Sequence, residues 1–246
     1  MVWLTGILEK GCVNGMDAEK LSQRLQTVAD FVPQGARLAD IGTDHAYLPA
    51  ALVLAGRIDF AVAGDVTLGP LQNATAEIER LHLSEQIQPR LADGLAAIQP
   101  TDQIDTVVIA GMGGTLIAKI LTAGAAQLAG VKRLILQPNV GEARVRQWLM
   151  EHHYQLMAER IVAEDGHIYE ILVADYTGVP FSYNARELRF GPFLLAAGGP
   201  IFRQKWQEEL QREAAALEQM KAAKEPPLEK IAAFQAQLAQ IKEVLA

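Results

Sequence analysis

A single cysteine in 246 residues, Cys12, leaves no partner for an internal disulfide and no thiolate set for zinc, and it fits a reducing cytoplasm. The five histidines make no metal site either. His152 and His153 are neighbours on an expected helix and point apart, no His-x-x-x-His pair occurs, and His82 and His167 read as surface or turn residues, so no metal is expected. No apolar run approaches the roughly 20 residues that span a bilayer, and no membrane role is expected. Met1–Leu8 is too short for a secretory core and lacks a basic segment before it. A helical pattern opens at Met16, so residues 1–15 are expected to be disordered or upstream sequence. No Gly-x-Ser-x-Gly elbow is present. The net charge of −7 disfavours bulk, non-specific nucleic-acid binding, which relies on many Lys and Arg contacts to phosphates. That charge is uneven: residues 176–246 carry +1 and the remainder −8, which leaves room for a local basic patch.

What is present alternates. Leu21, Leu25, Val28, Ala29 and Val32 recur at helical spacing and stop at Pro33-Gln34-Gly35. Apolar runs at 37–41, 60–64, 87–91, 106–110 and 133–137 are separated by helical stretches, including 46–54 and 70–83; Pro89 marks 87–91 as an edge or irregular strand. Continuous apolar strands alternating with helices predict a parallel sheet covered on both faces. Two β-like runs, 155–162 and 167–176, then flank Glu164-Asp165-Gly166, a strong hairpin signal. A parallel sheet ending in an antiparallel hairpin is the α/β, Rossmann-like architecture of class I methyltransferases. A Gly- and Pro-rich loop to Pro200 is followed by two helices, 201–224 and 228–245. Pro226-Pro227 separates them, and they are expected to form a coiled-coil-like hairpin. The expected division is a methyltransferase domain at 16–176 and a linker with a helical domain at 177–246.

The first strand ends in Asp40-Ile41-Gly42-Thr43-Asp44-His45-Ala46. A tight turn there, with backbone N–H groups and a helix start facing the carboxyl end of the sheet, makes a ligand site. Its acidic residue suits a methionine ammonium better than a pyrophosphate. Against the pattern Asp-x-Gly-x-Gly-x-Gly only Gly42 survives, Asp44 and Ala46 standing where the other glycines do. Asp65 ends the second strand, where a carboxylate accepts from ribose hydroxyls, and Asp93 follows the third, suited to an adenine amino group. Each is also an ordinary turn former or helix cap taken singly. Gly111-Met112-Gly113-Gly114 follows the fourth strand; no Lys-Ser/Thr pair follows it, which excludes a P-loop. It reads either as a close approach to a ligand, with Met112 packing on it, or as a tight strand-to-helix turn. Gln137-Pro138-Asn139 ends the fifth strand, either facing substrate or forming a Pro-restricted turn.

These segments together resemble the bacterial tRNA adenine-N1-methyltransferases that modify adenine 22. The resemblance rests on Ala39–Pro49, Ala63-Gly64-Asp65, Ile109–Gly114 and Leu134–Asn139, with Leu21–Leu25, Glu164–Ile171, Phe190–Leu194, Phe202 and Lys205-Trp206 besides. It runs from Met16 to the C-terminus, with two departures: Thr43 where Ser is common, and Asp65 where Glu is. It implies S-adenosyl-L-methionine as cofactor and tRNA as partner, with a monomer expected. From the first loop it implies Asp40, Gly42, Thr43, His45 and Leu48 as cofactor-binding, with Asp65, Val66, Asp93 and Gly94 from the next two strand ends. Ala110, Gly111, Met112 and Gly113 complete that set. Asp44 is the candidate to accept from the adenine amino group or take its proton, or else it caps the following helix. Tyr47 is the candidate to stack on or bond to the base, and Asn139 to face it. Arg24 and Pro138 are further substrate candidates. Arg203, Lys205 and Arg212, with Lys221 and Lys224, are expected either to grip the tRNA body or to serve dimerisation or domain packing. A nicotinamide oxidoreductase and a cofactor-sensing module without methyl transfer are the rival readings.

Overall fold

The computed structural model describes Ala18 and residues 20–246; the expectations for residues 1–15 lie outside them. No helix among the described residues is long and apolar enough to cross a membrane. No group of three or more His, Cys, Asp or Glu among them is placed to hold a metal ion.

The strands are β1 (Arg37–Ile41), β2 (Phe60–Asp65), β3 (Ile87–Leu91), β4 (Thr106–Gly113), β5 (Arg133–Val140), β6 (Tyr154–Glu164) and β7 (His167–Tyr176). They form one sheet in the order β3-β2-β1-β4-β5-β7-β6. β1 pairs in parallel with β2 on one side and β4 on the other, so the strand order reverses at β1/β4. In open α/β sheets ligands bind at such a reversal, beyond the carboxyl ends of the strands. Pro89 sits in the edge strand β3, where its missing N–H costs least.

The chain clusters into two compact units, one of residues up to Ala110 with Lys119–Ile135, the other of Gly111–Ala118 with Leu136–Ala246. In the first, α1 (Gln23–Asp30) starts later than the periodicity predicts, because Ser22 accepts the Leu25 N–H at 3.3 Å and caps it there. α2 (Tyr47–Leu54) and α3 (Leu68–Arg80) follow β1 and β2, and α4 (Gly114–Ala123) follows β4. The core is Leu38, Ile41, Val62, Val107 and Ile109, all almost fully buried.

In the second unit, β6 and β7 pair antiparallel around Asp165 and Gly166, both at positive φ (49° and 75°), as a tight hairpin turn requires. A bulge between Leu156 and Ala158 breaks the alternation of β6, so Glu159 rather than Ala158 turns fully inward. α5 (Glu142–Glu151) ends before His152 and His153, which the sequence reading placed on the helix. His152 caps it, with Nδ1 2.8 Å from Trp148 O and its ring stacked on Trp148.

The stretch expected to be a loop before Pro200 instead holds two short helices, α6 (Ala185–Phe190) and α7 (Pro192–Ala197). Six residues carry too little periodicity to reveal a helix, but the signals exist. Asn184 and Glu187 form a capping box, and Pro192 takes the first helical position after Gly191. The helical hairpin is α8 (Pro200–Lys221) and α9 (Leu228–Leu245). Phe190, Leu194, Phe202, Trp206 and Ile241 form one buried cluster with Ile161 of β6 packed against it.

Candidate active site

At the carboxyl end of β1 the Asp40 side chain is buried, 6% exposed, and accepts the Thr43 hydroxyl at 2.7 Å. Burial pushes its carboxyl from 3.8 to about 6; the Thr43 hydrogen bond opposes that rise and nearby Asp65 adds to it. A buried carboxylate left in this state is a receptor for a cation. Gly42 turns at φ 80°, and its N–H, with that of Thr43, is bound by Gly64 O at 2.8 and 3.2 Å.

Asp44 and Ala46 also have positive φ, 48° and 55°. The loop therefore keeps a left-handed backbone at the two positions where the sequence pattern lacks glycine. Ala46 is the N-cap of α2 and makes no side-chain cap. The Asp44 carboxylate is instead 68% exposed, 3.7 Å from His45 Nε2. His45 lies parallel to the Tyr47 ring at 5.0 Å, and Leu48 is buried behind them. Arg24 lies half-buried on α1.

At the end of β2, Asp65 accepts the Thr67 N–H at 2.7 Å, with Val66 and Leu68 exposed beside it. An exposed apolar pair next to a strand-end carboxylate suits the flat face of a heterocycle above a ribose. Asp93 precedes a 3-10 turn, Gly94–Ala97, and makes no side-chain cap. That turn is held by Arg90, which donates to Ala97 O at 2.8 Å and forms a two-pronged pair with Asp102. Gly94 is at φ 56°, and a Cβ there would meet Ile120 Cγ2 at 2.9 Å. Gly94→Ala is therefore expected to cost about 2 kcal/mol or more, from strain and overpacking together, read as a lowered midpoint in urea unfolding.

In the second unit, Gly111 continues β4 at φ 80°. Its N–H donates to Gln137 Oε1 at 3.0 Å, and its carbonyl accepts from Asn139 Nδ2 at 2.8 Å. Gln137 Nε2 also donates to Asn139 Oδ1 at 3.1 Å. Asn139 thus holds the backbone of the glycine turn, a role its residue type alone did not reveal. Met112 and Gly113 are half-buried. Pro138, a substrate candidate, is buried, which removes it as a contact surface. A Cβ on Gly114 would collide with the Gly141 carbonyl, so this glycine serves close backbone approach.

The sequence reading missed a buried ion cluster in this unit. Arg146, fully buried on α5, donates to Glu159 Oε1 at 2.7 Å and to Glu170 Oε2. Its guanidinium also meets the carbonyls of Leu188 and Arg189 at the end of α6, while Glu159 Oε2 accepts the Phe193 N–H at the start of α7. Cation at a helix carboxyl end and anion at an amino end both complement the helix dipoles. Lys205, expected either to grip tRNA or to serve dimerisation or domain packing, belongs to this cluster. It is 16% exposed and bonded to Glu142 and Glu170 at 2.5 and 2.7 Å, so it is not placed to hold a phosphate. Arg203 and Arg212 are exposed; Arg203 donates to Leu245 O and Arg212 pairs with Glu209. A cavity of about 690 Å³ lies between Asn139–Ala143, the β6–β7 turn and α8.

A reversal at β1/β4, strand-end carboxylates on β1 and β2, and a terminal antiparallel hairpin define a class I methyltransferase fold. The family model of tRNA (adenine(22)-N(1))-methyltransferase, TrmK, matches residues 38–243, and the chain belongs to that family. The curated Bacillus subtilis tRNA (adenine(22)-N(1))-methyltransferase is 44% identical over 215 residues, 85% of this chain and 89% of that protein. A Streptococcus pneumoniae structure in complex with S-adenosyl-L-methionine is 47% identical, with a TM-score of 0.84 over 92% of this chain and 99% of that one. M. capricolum TrmK, solved with S-adenosyl-homocysteine, is 27% identical, with a TM-score of 0.80 over 92% of this chain and 97% of that one.

Proposed function

We propose that this chain transfers a methyl group from S-adenosyl-L-methionine to N1 of adenine 22 in tRNA. The observation that carries the reading beyond family membership is Asp40, a buried strand-end carboxylate with no basic side chain beside it among the described residues. The cofactor supplies an electrophilic methyl group on a sulfonium sulfur. Asp40 holds its ammonium, Asp65 its ribose hydroxyls with Val66 against the ring, and Asp93 its adenine amino group. Gly42, Thr43, His45 and Leu48 shape the methionine end, and Ala110 and Gly111–Gly113 present backbone to it.

Adenine N1 carries an in-plane lone pair, so no proton must leave before attack, and the product base is cationic. The protein's work is alignment, together with negative potential where positive charge develops on the base. Asp44, exposed, accepts from the adenine 6-amino group in this reading, and the parallel His45–Tyr47 pair offers a stacking face. Arg24 holds a phosphate or braces Asp44 in this reading. Asn139 acts by holding the Gly111 peptide. The catalytic domain is residues 16–176, and the helical part, 177–246, grips the tRNA body through Arg203, Arg212, Lys221 and Lys224. The protein acts as a cytoplasmic monomer, where tRNA is found.

The deciding experiment incubates the protein with labelled S-adenosyl-L-methionine and unmodified tRNA and maps the modified nucleoside, with 1-methyladenosine at position 22 expected. Label at adenine N6 or on guanine refutes the assignment. Asp44→Ala is expected to lower turnover about 100-fold while keeping most cofactor affinity, since only the acceptor side is disturbed. Unchanged turnover removes Asp44 from the mechanism.

A further inference from the structure

Lys205 on α8 bridges two carboxylates, Glu142 Oε1 at 2.5 Å and Glu170 Oε1 at 2.7 Å. Glu142 is the first residue of α5, directly after Gly141, which caps that helix at φ 79°. Burial pushes the Glu142 carboxyl up, but the Lys205 ammonium more than offsets this and holds it below the ordinary range. Both partners are therefore charged at neutral pH, in a site with little solvent to screen them.

The same short segment carries the other ties described above. Gln137 and Asn139 clasp the N–H and carbonyl of Gly111. The backbone of Gly141 packs against that of Gly114, where no Cβ fits. Residues 137–142 are thus pinned to the Gly111–Gly114 turn along their length and to the helical hairpin at Glu142. An ion pair buried at that end does more than stabilise α8. It fixes where α5 begins, and with it the carbonyl of Gly141 and the side chain of Asn139.

We propose that Lys205 is a positioning residue for methyl transfer. Through Glu142 it locks the Gln137–Glu142 segment against the Gly111–Gly114 turn, so that this part of the site is aligned only while α8 is seated. The proposal rests on the methyltransferase reading. It gives the hairpin a second task besides holding RNA: completing the catalytic geometry. A displacement of about 1 Å in such a wall costs on the order of 100-fold in rate.

The test uses the full chain at saturating S-adenosyl-L-methionine, with unmodified tRNA varied. Lys205→Met keeps the length of the stem and removes the charge. It is expected to lower kcat about 30-fold while the KM for tRNA stays near the wild-type value. Lys205→Arg, still able to reach two carboxylates, is expected to retain most of kcat. Glu142→Gln should reproduce the loss, and combining it with Lys205→Met should add little, because both remove one interaction. A raised KM with unchanged kcat would make Lys205 a phosphate contact and overturn the proposal. So would an equal loss in Lys205→Arg, which marks simple packing, or an unchanged kcat in Glu142→Gln. If Lys205→Met does not fold, Glu142→Gln and Lys205→Arg, each checked by thermal melting, carry the decision. Absence of label with the wild-type chain sinks the methyltransferase reading itself, and the proposal with it.

Discussion

Asp40→Asn is expected to make the ligand-free protein more stable at pH 7.5 while removing most of its affinity for S-adenosyl-L-methionine. The carboxyl is 6% exposed, and burial raises it from 3.8 to about 6. The folded chain therefore binds this proton more tightly than the unfolded chain. Its contribution is most favourable below the unfolded value, falls as the pH rises from 3.8 to about 6, and stays at its lowest above that. A shift of this size corresponds to about 3 kcal/mol. Asparagine keeps an acceptor for the Thr43 hydroxyl, 2.7 Å away in the native site, and carries no charge to desolvate. A gain of about 2 kcal/mol at pH 7.5, vanishing toward pH 4, is the expected result of urea unfolding at several pH values.

The cofactor reverses the balance. In the proposed site an ammonium pairs with the buried carboxylate, and truncating one member of such a pair costs about 2–5 kcal/mol, at least about 30-fold in Kd. Wild-type affinity should also weaken as the pH falls through about 6, since protonation removes the charge that holds the ammonium. Titration calorimetry of both proteins across this range checks both statements. Wild-type affinity in Asp40→Asn would remove Asp40 from the cofactor site.

The second large effect is structural. Arg146→Ala is expected to destabilise the protein by about 3–5 kcal/mol, because it leaves Glu159 and Glu170 buried without their cation. The thermal midpoint should fall by about 10 °C. Arg146 also meets the carbonyls that end α6, and Glu159 the amides that begin α7, so the loss should reach the packing around Phe190 and Trp206. Near-ultraviolet dichroism of Trp206 reports that change. Arg146→Lys should lie between the two, since an ammonium cannot match the planar guanidinium fork that serves two carboxylates at once. Gly191 shows how tightly the arrangement closes: at φ 81°, any Cβ there would meet Arg146 Nη2 and a Glu159 oxygen at 2.6 Å. A variant Arg146→Ala within about 1 kcal/mol of wild type would show that the cluster does not hold this region together.

Patterns within one element carried most of the fold. Uninterrupted apolar runs such as Thr106–Ala110 name a strand covered on both faces, and Asp165-Gly166 names its turn through the backbone each residue tolerates. The carboxylates Asp40, Asp65 and Asp93 were legible for the same reason, each marking a strand end or the turn after it. The loop at 42–46 was only half legible: Asp44 and Ala46 looked like lost glycines, yet both stand in the left-handed region. The short helices α6 and α7 offered caps rather than periodicity.

The sequence by itself determined the order of the strands and the longer helices and the family, because these depend on residues close together along the chain. Only the tertiary structure decided which charges are surface and which are core. Arg146, Glu159, Glu170 and Lys205 stand on four elements, and each reads alone as a solvated side chain. Burial became tolerable when folding brought opposite charges and helix ends to the same place. That is why Lys205, by sequence alone either an RNA contact or a packing residue, is the tie between α8 and Glu142, and why Asn139 holds Gly111.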